Sequence, residues 1–224
     1  MKRVSFIALA LLLLAALSCK KDIKPLTVTD FDGNVYKTVK IGNQIWMAEN
    51  LKTTHYRKGE AIENVTDNQQ WASKVTGAYC DNLNIVDFGK TYGHLYNWYA
   101  VNDQRNLAPV GWHVATDEEW LLLANSVGGV DVAGAKLREA GTAHWVTTSE
   151  DIKNEFEFTA LPAGLNTGIS PAFFGGLHQL ALFWTSNMFD ADKAKIAGIN
   201  YTEKTLFFEN QSKKLGLSVR CVKD

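Results

Sequence analysis

The sequence predicts a single α+β domain of short antiparallel strands, two to three helices and long loops. Three observations predict it. With an N-terminal leader of 18 residues set aside, 206 of the 224 residues remain, enough chain for one domain. The composition, 46 % hydrophobic and 21 % charged, is that of a chain that buries a core and does not stay disordered. Hairpin turn pairs stand near the N-terminus, a helix-start signature in the middle and short apolar runs at the C-terminus, with no internal repeat.

Residues 1–18 read as a secretory signal. Lys2 and Arg3 precede an uncharged, mainly apolar run from Val4 to Leu17. As a helix that run would reach roughly 21 Å, short of the ~30 Å hydrocarbon core of a bilayer, so export is expected and not a membrane span. Ala16-Leu17-Ser18-Cys19 resembles the lipobox of bacterial lipoproteins, in which cleavage precedes a cysteine that carries a diacylglycerol. The resemblance implies lipid attachment at Cys19. Two or three acyl chains would anchor it firmly, because each buried methylene contributes about 0.8 kcal/mol. Lys20 stands where many lipoproteins carry the aspartate that retains them in the inner membrane, which points to the outer membrane, facing the periplasm or the surface. Residues 19–27 form a polar tether, and the domain occupies 28–224. Loss of the two charges of Lys2 and Arg3 takes the formal net charge from −1 to −3. With no basic surplus, nucleic acid is not an expected partner.

In "VTDFDGNVYKTVKIGNQIWMAENL", Asp32-Gly33 and Gly42-Asn43 are hairpin turn pairs between β-branched and aromatic residues. Asp30-x-Asp32-Gly33-Asn34 is spaced as a turn. A calcium loop of the EF-hand type needs glycine at position 6 and glutamate at position 12, where this chain has glycine at 4 and Ile41 at 12. Tyr92, Leu95, Tyr96 and Tyr99 recur at helical spacing and predict a helix with a core face. Thr116 and Glu119 form a T-x-x-E capping box, so the acids of "ATDEEW" belong to a helix start and not to an active site. Gly128-Gly129 ends that helix. "DVAGAKLREAG" predicts a second, stopped by Gly141. "NEFEFTALPAG" alternates Phe156 and Phe158 with Glu155 and Glu157 as a half-buried strand does. "LNTGISPAFFGGLHQL" reads as a long loop, and "ALFWTSN", "KTLFFEN" and "LGLSVRCVKD" as closing strands.

The five histidines, His55, His94, His113, His144 and His178, include no pair at metal-ligand spacing, and each reads as a core or hydrogen-bonded residue. No G-x-S-x-G, P-loop or G-x-G-x-x-G motif occurs. No catalytic residue, metal or cofactor is therefore assigned. With Cys19 committed to lipid, Cys80 and Cys221 are left, to be joined in a disulfide or buried as two free thiols.

Seven segments in order, "DGNVYKTVKIGNQIWMAENL", "YGHLYNWYAV", "GWHVATDEEW", "AGAKLREAG", "FTALPAG", "FWTSN" and "LSVRCVKD", resemble the Fibrobacter succinogenes major paralogous domain over residues 28–224. That family is common in exported bacterial lipoproteins. Two positions depart from its pattern: Ala108 replaces a frequent cysteine, and Leu165-Asn166 stands where an arginine is common. More distantly, the tyrosine-rich segment, the T-x-x-E-W helix start and the final "VRCV" are similar to the formylglycine-generating-enzyme group. That likeness implies a C-type-lectin-like fold without the copper-binding cysteine pair or the lectin calcium motif. The expected function is an envelope-anchored binding or adhesion module for glycan or protein ligands, without catalysis. The alternatives are a structural domain of envelope assembly or an unrecognised enzyme. By its order along the chain, the segment 165–180 is the expected ligand region, with Asn166, Phe173, Phe174 and His178 as candidate contacts. Of the two adjacent phenylalanines, one is expected to point inward and one outward.

Overall fold

Both N-terminal turn pairs fold as expected. β1 (Thr27–Thr29), β2 (Val35–Ile41) and β3 (Gln44–Met47) form successive antiparallel hairpins. Gly33 and Gly42 supply the left-handed residues of their turns, at φ +82 and +59. The computed structural model describes residues 26–147, 152–170 and 172–224. The signal segment 1–18, Cys19 and nearly all of the tether lie outside the described residues. Thr27 is the first residue of β1.

Next come β4 (Glu63–Asn64), α1 (Asn68–Ser73), β5 (Ala78–Cys80), α2 (Val86–Tyr92), β6 (Leu95–Tyr96) and α3 (Trp98–Val101). The continuous helix expected over the tyrosine-rich segment is therefore broken in two. Gly93, at φ +77, terminates α2, and Asn97 starts α3 by accepting a hydrogen bond from Ala100 N at 3.1 Å. Tyr92, Leu95 and Tyr96 are buried all the same, as a core face requires.

β7 (Trp112–Val114) leads into α4 (Asp117–Ser126), followed by α5 (Val130–Leu137). The capping box is formed in full. Glu119 N donates to Thr116 Oγ1 at 3.1 Å, and Thr116 N donates to Glu119 Oε2 at 2.8 Å. The remaining strands are β8 (Ala163–Asn166), β9 (Phe174–Leu177), β10 (Leu180–Met188), β11 (Lys193–Asn200), β12 (Phe207–Ser212) and β13 (Cys221–Lys223). Three expectations change here. Residues 154–158 alternate in burial as a strand would, but they form a turn, with Asn154, Glu157 and Thr159 at positive φ. Residues 165–180 are not a long loop: most belong to the β8–β9 hairpin and the start of β10. β11, which was not among the expected strands, is the central strand between β10 and β12.

The molecule is thus α+β. Its largest sheet has the order β1-β2-β3-β13-β7, with the last strand of the chain inserted antiparallel between β3 and β7. Beside β13 lies an aromatic core in which Trp120 meets Trp46, Phe158 and Phe183 at centroid distances of 4.8, 5.7 and 4.9 Å. Among the described residues no helix is long and apolar enough to cross a membrane.

Candidate functional site

Two loops and the end of a helix build a groove outside the main sheet. The first loop is the β1–β2 turn. Asn34 donates its backbone N–H and its side-chain amide to Asp30, each at 2.9 Å, and the hydroxyl of the buried Tyr36 donates to the same carboxylate at 2.5 Å. The second loop is the extended segment 52–55. Tyr36 holds the two together, since its hydroxyl also accepts from Lys52 N at 3.0 Å. Burial first, and then the Asp30 carboxylate, push the Tyr36 phenol far above its usual pKa.

Segment 52–55 alternates its side chains as extended backbone does, and so forms a wall between two cavities. Thr53 and His55 face a cavity of about 210 Å³, with Phe31, Arg57 and Val110 around it. Lys52 and Thr54 face a cavity of about 330 Å³, with Asn34, Lys90 and His94 around it. Phe31 is 56 % exposed at the mouth of the first, its ring tilted over His55 with centroids 5.5 Å apart. Arg57 fixes the far wall by donating to Ala108 O at 2.9 Å and Trp112 O at 2.6 Å.

Each cavity contains a histidine pinned by a carboxylate. His55 Nδ1 lies 2.5 Å from Asp32 Oδ1, and His94 Nδ1 lies 2.6 Å from Asp81 Oδ1. The second pair, a buried Asp81 and a half-buried His94, is closely fitted. Tyr79 packs on the His94 ring at 4.6 Å, and α2 has a glycine beside the pair. A side chain at Gly89 would place its Cβ 1.9 Å from Asp81 Oδ1, which explains a glycine inside a helix despite its cost of about 1 kcal/mol. Tyr79 lies close enough to both carboxylates to feel them. Its pKa is raised, chiefly by burial and then by Asp81 and Asp32.

Burial alone would raise the Asp32 carboxyl, but the hydrogen bonds from Thr54, His55 and Thr53 outweigh it and hold the pKa low. A tautomer with its proton on Nδ1, facing the aspartate, presents Nε2 as an acceptor. Neither Nε2 has a hydrogen-bond partner among the described residues. Thr54 Oγ1 lies 3.1 Å from His55 Nδ1, on the aspartate side. A nucleophile would have to face Nε2 instead. The groove therefore offers an exposed ring, imidazole acceptors, and ammonium, guanidinium and amide donors. Among the described residues no group of three or more His, Cys, Asp or Glu side chains is placed to hold a metal ion.

The contacts expected in segment 165–180 do not converge. Asn166 is buried, donating to Cys80 Sγ at 3.7 Å and accepting from Gly168 N at 3.1 Å, so it is closed to a ligand. Phe173 is exposed and Phe174 packs against the core, the inward and outward pair that was expected. Asn166 pairs with Phe174 at one end of the β8–β9 hairpin, while His178 follows the other end. There His178 Nδ1 meets His144 O at 2.6 Å. Cys80 and Cys221 are buried free thiols in two different core clusters, so the disulfide alternative falls. The groove itself went unread because Asp32 and His55 are 23 residues apart and neither belongs to a spaced motif. The alternation of Lys52 to His55 beside a turn containing Phe31 was the available signal.

The family model for the Fibrobacter succinogenes major domain matches residues 39–223. No curated protein and no solved structure matches the chain. That match takes in both cavity-lining histidines and the closing strand β13, and leaves the Phe31 turn just outside it. On this evidence the chain belongs to the Fibrobacter succinogenes major domain family.

Proposed function

We propose that this protein is a lipoprotein anchored at Cys19 in the outer membrane, presenting a C-type-lectin-like module that binds glycans through the Phe31–His55 groove. The observation that carries the reading is the exposed Phe31 ring beside His55, Thr53 and Arg57 around one cavity. A sugar ring presents an apolar face and a rim of hydroxyls, and this site pairs an apolar platform with both donors and acceptors. The lectin-like fold is supported by the return of the last strand into the sheet that holds the first three, and by the long irregular stretches between short strands.

A glycan array probed with wild-type protein, Phe31→Ala and His55→Ala tests the site. Wild type should retain saccharides and both variants should lose them, Phe31→Ala at an almost unchanged melting temperature because Phe31 is exposed. Equal retention by Phe31→Ala would remove this groove from the binding reading, and an empty array would favour a purely structural role in the envelope. Cys19→Ala tests the anchor. The variant should leave the membrane fraction or remain uncleaved, and a mature variant that still sediments with membranes would refute lipidation.

A further inference from the structure

The sheet β10-β11-β12 ends on β12, and among the described residues nothing pairs with the outer edge of that strand. We propose that this edge is a peptide-binding site. It takes an extended segment of a partner protein as a fourth strand, with one bulky apolar side chain of that segment lodged between α4 and β12. The proposal does not rest on the glycan reading of the Phe31 groove. β12 pairs with β11 in an unbroken register from Gly198↔Phe207 to Lys193↔Ser212. A strand paired on one side only directs the N–H and C=O groups of alternate residues outward. The ends of the largest sheet are blunt by comparison, since β1 and β7 have three residues each. The far side of β10 is already taken: Trp184 N donates to Ser218 O at 3.0 Å, and Ser218 N to Leu182 O at 3.2 Å. β12 has six residues, with no proline, no lysine and no bulge, and its one charge is Glu209. The open groups state the chemistry of the occupant, because extended main chain presents donors and acceptors at the matching repeat.

Beside this edge lies a cavity of about 340 Å³, lined by Leu121 and Asp117 of α4, Lys195 of β11, and Phe208, Glu209 and Asn210 of β12. Phe208 and Asn210 are two residues apart on one strand, and Lys195 is the cross-strand partner of Asn210, so all three share one face of the sheet. That is the face α4 covers. Asp117 forms an ion pair with Lys195, and Phe208 packs against the core cluster that contains Trp120 and Leu123. A strand added to β12 would send every second side chain to the same face, beside the cavity. The apolar walls are Phe208, which is half-buried, and Leu121, which is 41 % exposed. Of the apolar run in α4, Trp120, Leu123 and Ala124 serve the core, whereas Leu121 and Leu122 face solvent. An incoming aliphatic or aromatic side chain would cover Leu121 and gain the hydrophobic term. Two carboxylates, Asp117 and Glu209, line the cavity against one ammonium, Lys195, so the fitting segment has no acidic residue beside its apolar one.

The test is selection by the full chain from a phage-displayed library of random peptides of about seven residues, a little longer than a typical strand. The enriched peptides are then synthesised and titrated by calorimetry. They should share one leucine, isoleucine, phenylalanine or methionine among β-formers, without acidic neighbours. Main-chain N-methylation removes an N–H and leaves the side chains in place. At alternate peptide positions it should weaken binding roughly tenfold, and at the positions between it should change little. Leu121→Gln should weaken every enriched peptide by a similar factor at an almost unchanged melting temperature, because Leu121 is partly exposed. Phe31→Ala should leave peptide binding as it is, which separates this site from the groove. Failure to enrich any peptide would overturn the proposal, as would peptides whose affinity survives both N-methylation and Leu121→Gln. A peptide-free dimer in sedimentation that Leu121→Gln dissociates would make the occupant a second copy and overturn the assignment to a partner protein.

Discussion

His113 shows what one residue contributes and how little of it is local. Its Nε2 lies 2.8 Å from Glu119 and its Nδ1 2.7 Å from Asp224. The Glu119 hydrogen bond is the largest influence. It acts against partial burial and with Asp224, and the pKa rises to about 9 from the ordinary value near 6.5. The sign follows directly. A folded pKa above the unfolded one means the stabilisation is complete below pH ~6.5 and is lost as pH rises toward 9. Denaturant melts of wild type should therefore weaken between pH 6.5 and 9, and His113→Gln should flatten that slope. A slope unchanged in the variant would assign it to another group. The Thr116–Glu119 half of this arrangement was legible because its partners are three residues apart. The Asp224 half was not, because 111 residues separate it from His113.

At the scale of elements, local chemistry set the boundaries better than periodicity did. The two hairpin turns and the capped α4 were legible because each is decided within four residues, by a left-handed glycine or a side-chain cap. The tyrosine spacing misled because Gly93 and Asn97 interrupt it, and a turn and a cap override a hydrophobic period. Phe156 and Phe158 alternate for a different reason. The turn they occupy directs Phe158 inward, where the Arg220 guanidinium lies 4.5 Å from its ring. Two predictions belong here. Thr116→Ala should cost about 0.5–2 kcal/mol by urea melt, and its glycan-array profile should match that of wild type. In the β8–β9 hairpin, Phe173→Ala should fall within about ±0.5 kcal/mol, as exposed positions do. Phe174→Ala should cost roughly 1–3 kcal/mol, below the ~3–5 of a fully buried ring. Equal losses at both positions would mean that Phe173 is buried in solution.

The molecule as a whole depends on a strand order that no local pattern encodes. β13 pairs Val222 with Trp46 on one side and with His113 on the other, so the fold closes only when the end of the chain arrives. Arg220, just before β13, fastens that closure. It is fully buried, and among the described residues it forms no ion pair with a carboxylate. Instead it donates to Asn50 Oδ1 at 2.6 Å, Met47 O at 2.9 Å, Phe158 O at 2.8 Å and Thr159 O at 2.9 Å. Burial lowers its pKa to about 9, which leaves it charged at neutral pH. A guanidinium suits this place because its fixed fork serves acceptors from separate segments at once, whereas an ammonium is a single point of charge. Arg220→Lys preserves the charge but leaves some of the four acceptors unsatisfied, at about 1–3 kcal/mol for each. The expected loss of several kcal/mol is a large part of the ~5–15 kcal/mol that holds a domain folded. Arg220→Lys should therefore unfold at much lower urea or fail to accumulate, and Arg220→Ala should do no better. A lysine variant within ~1 kcal/mol of wild type would show that charge alone, and not the geometry of the fork, closes the sheet.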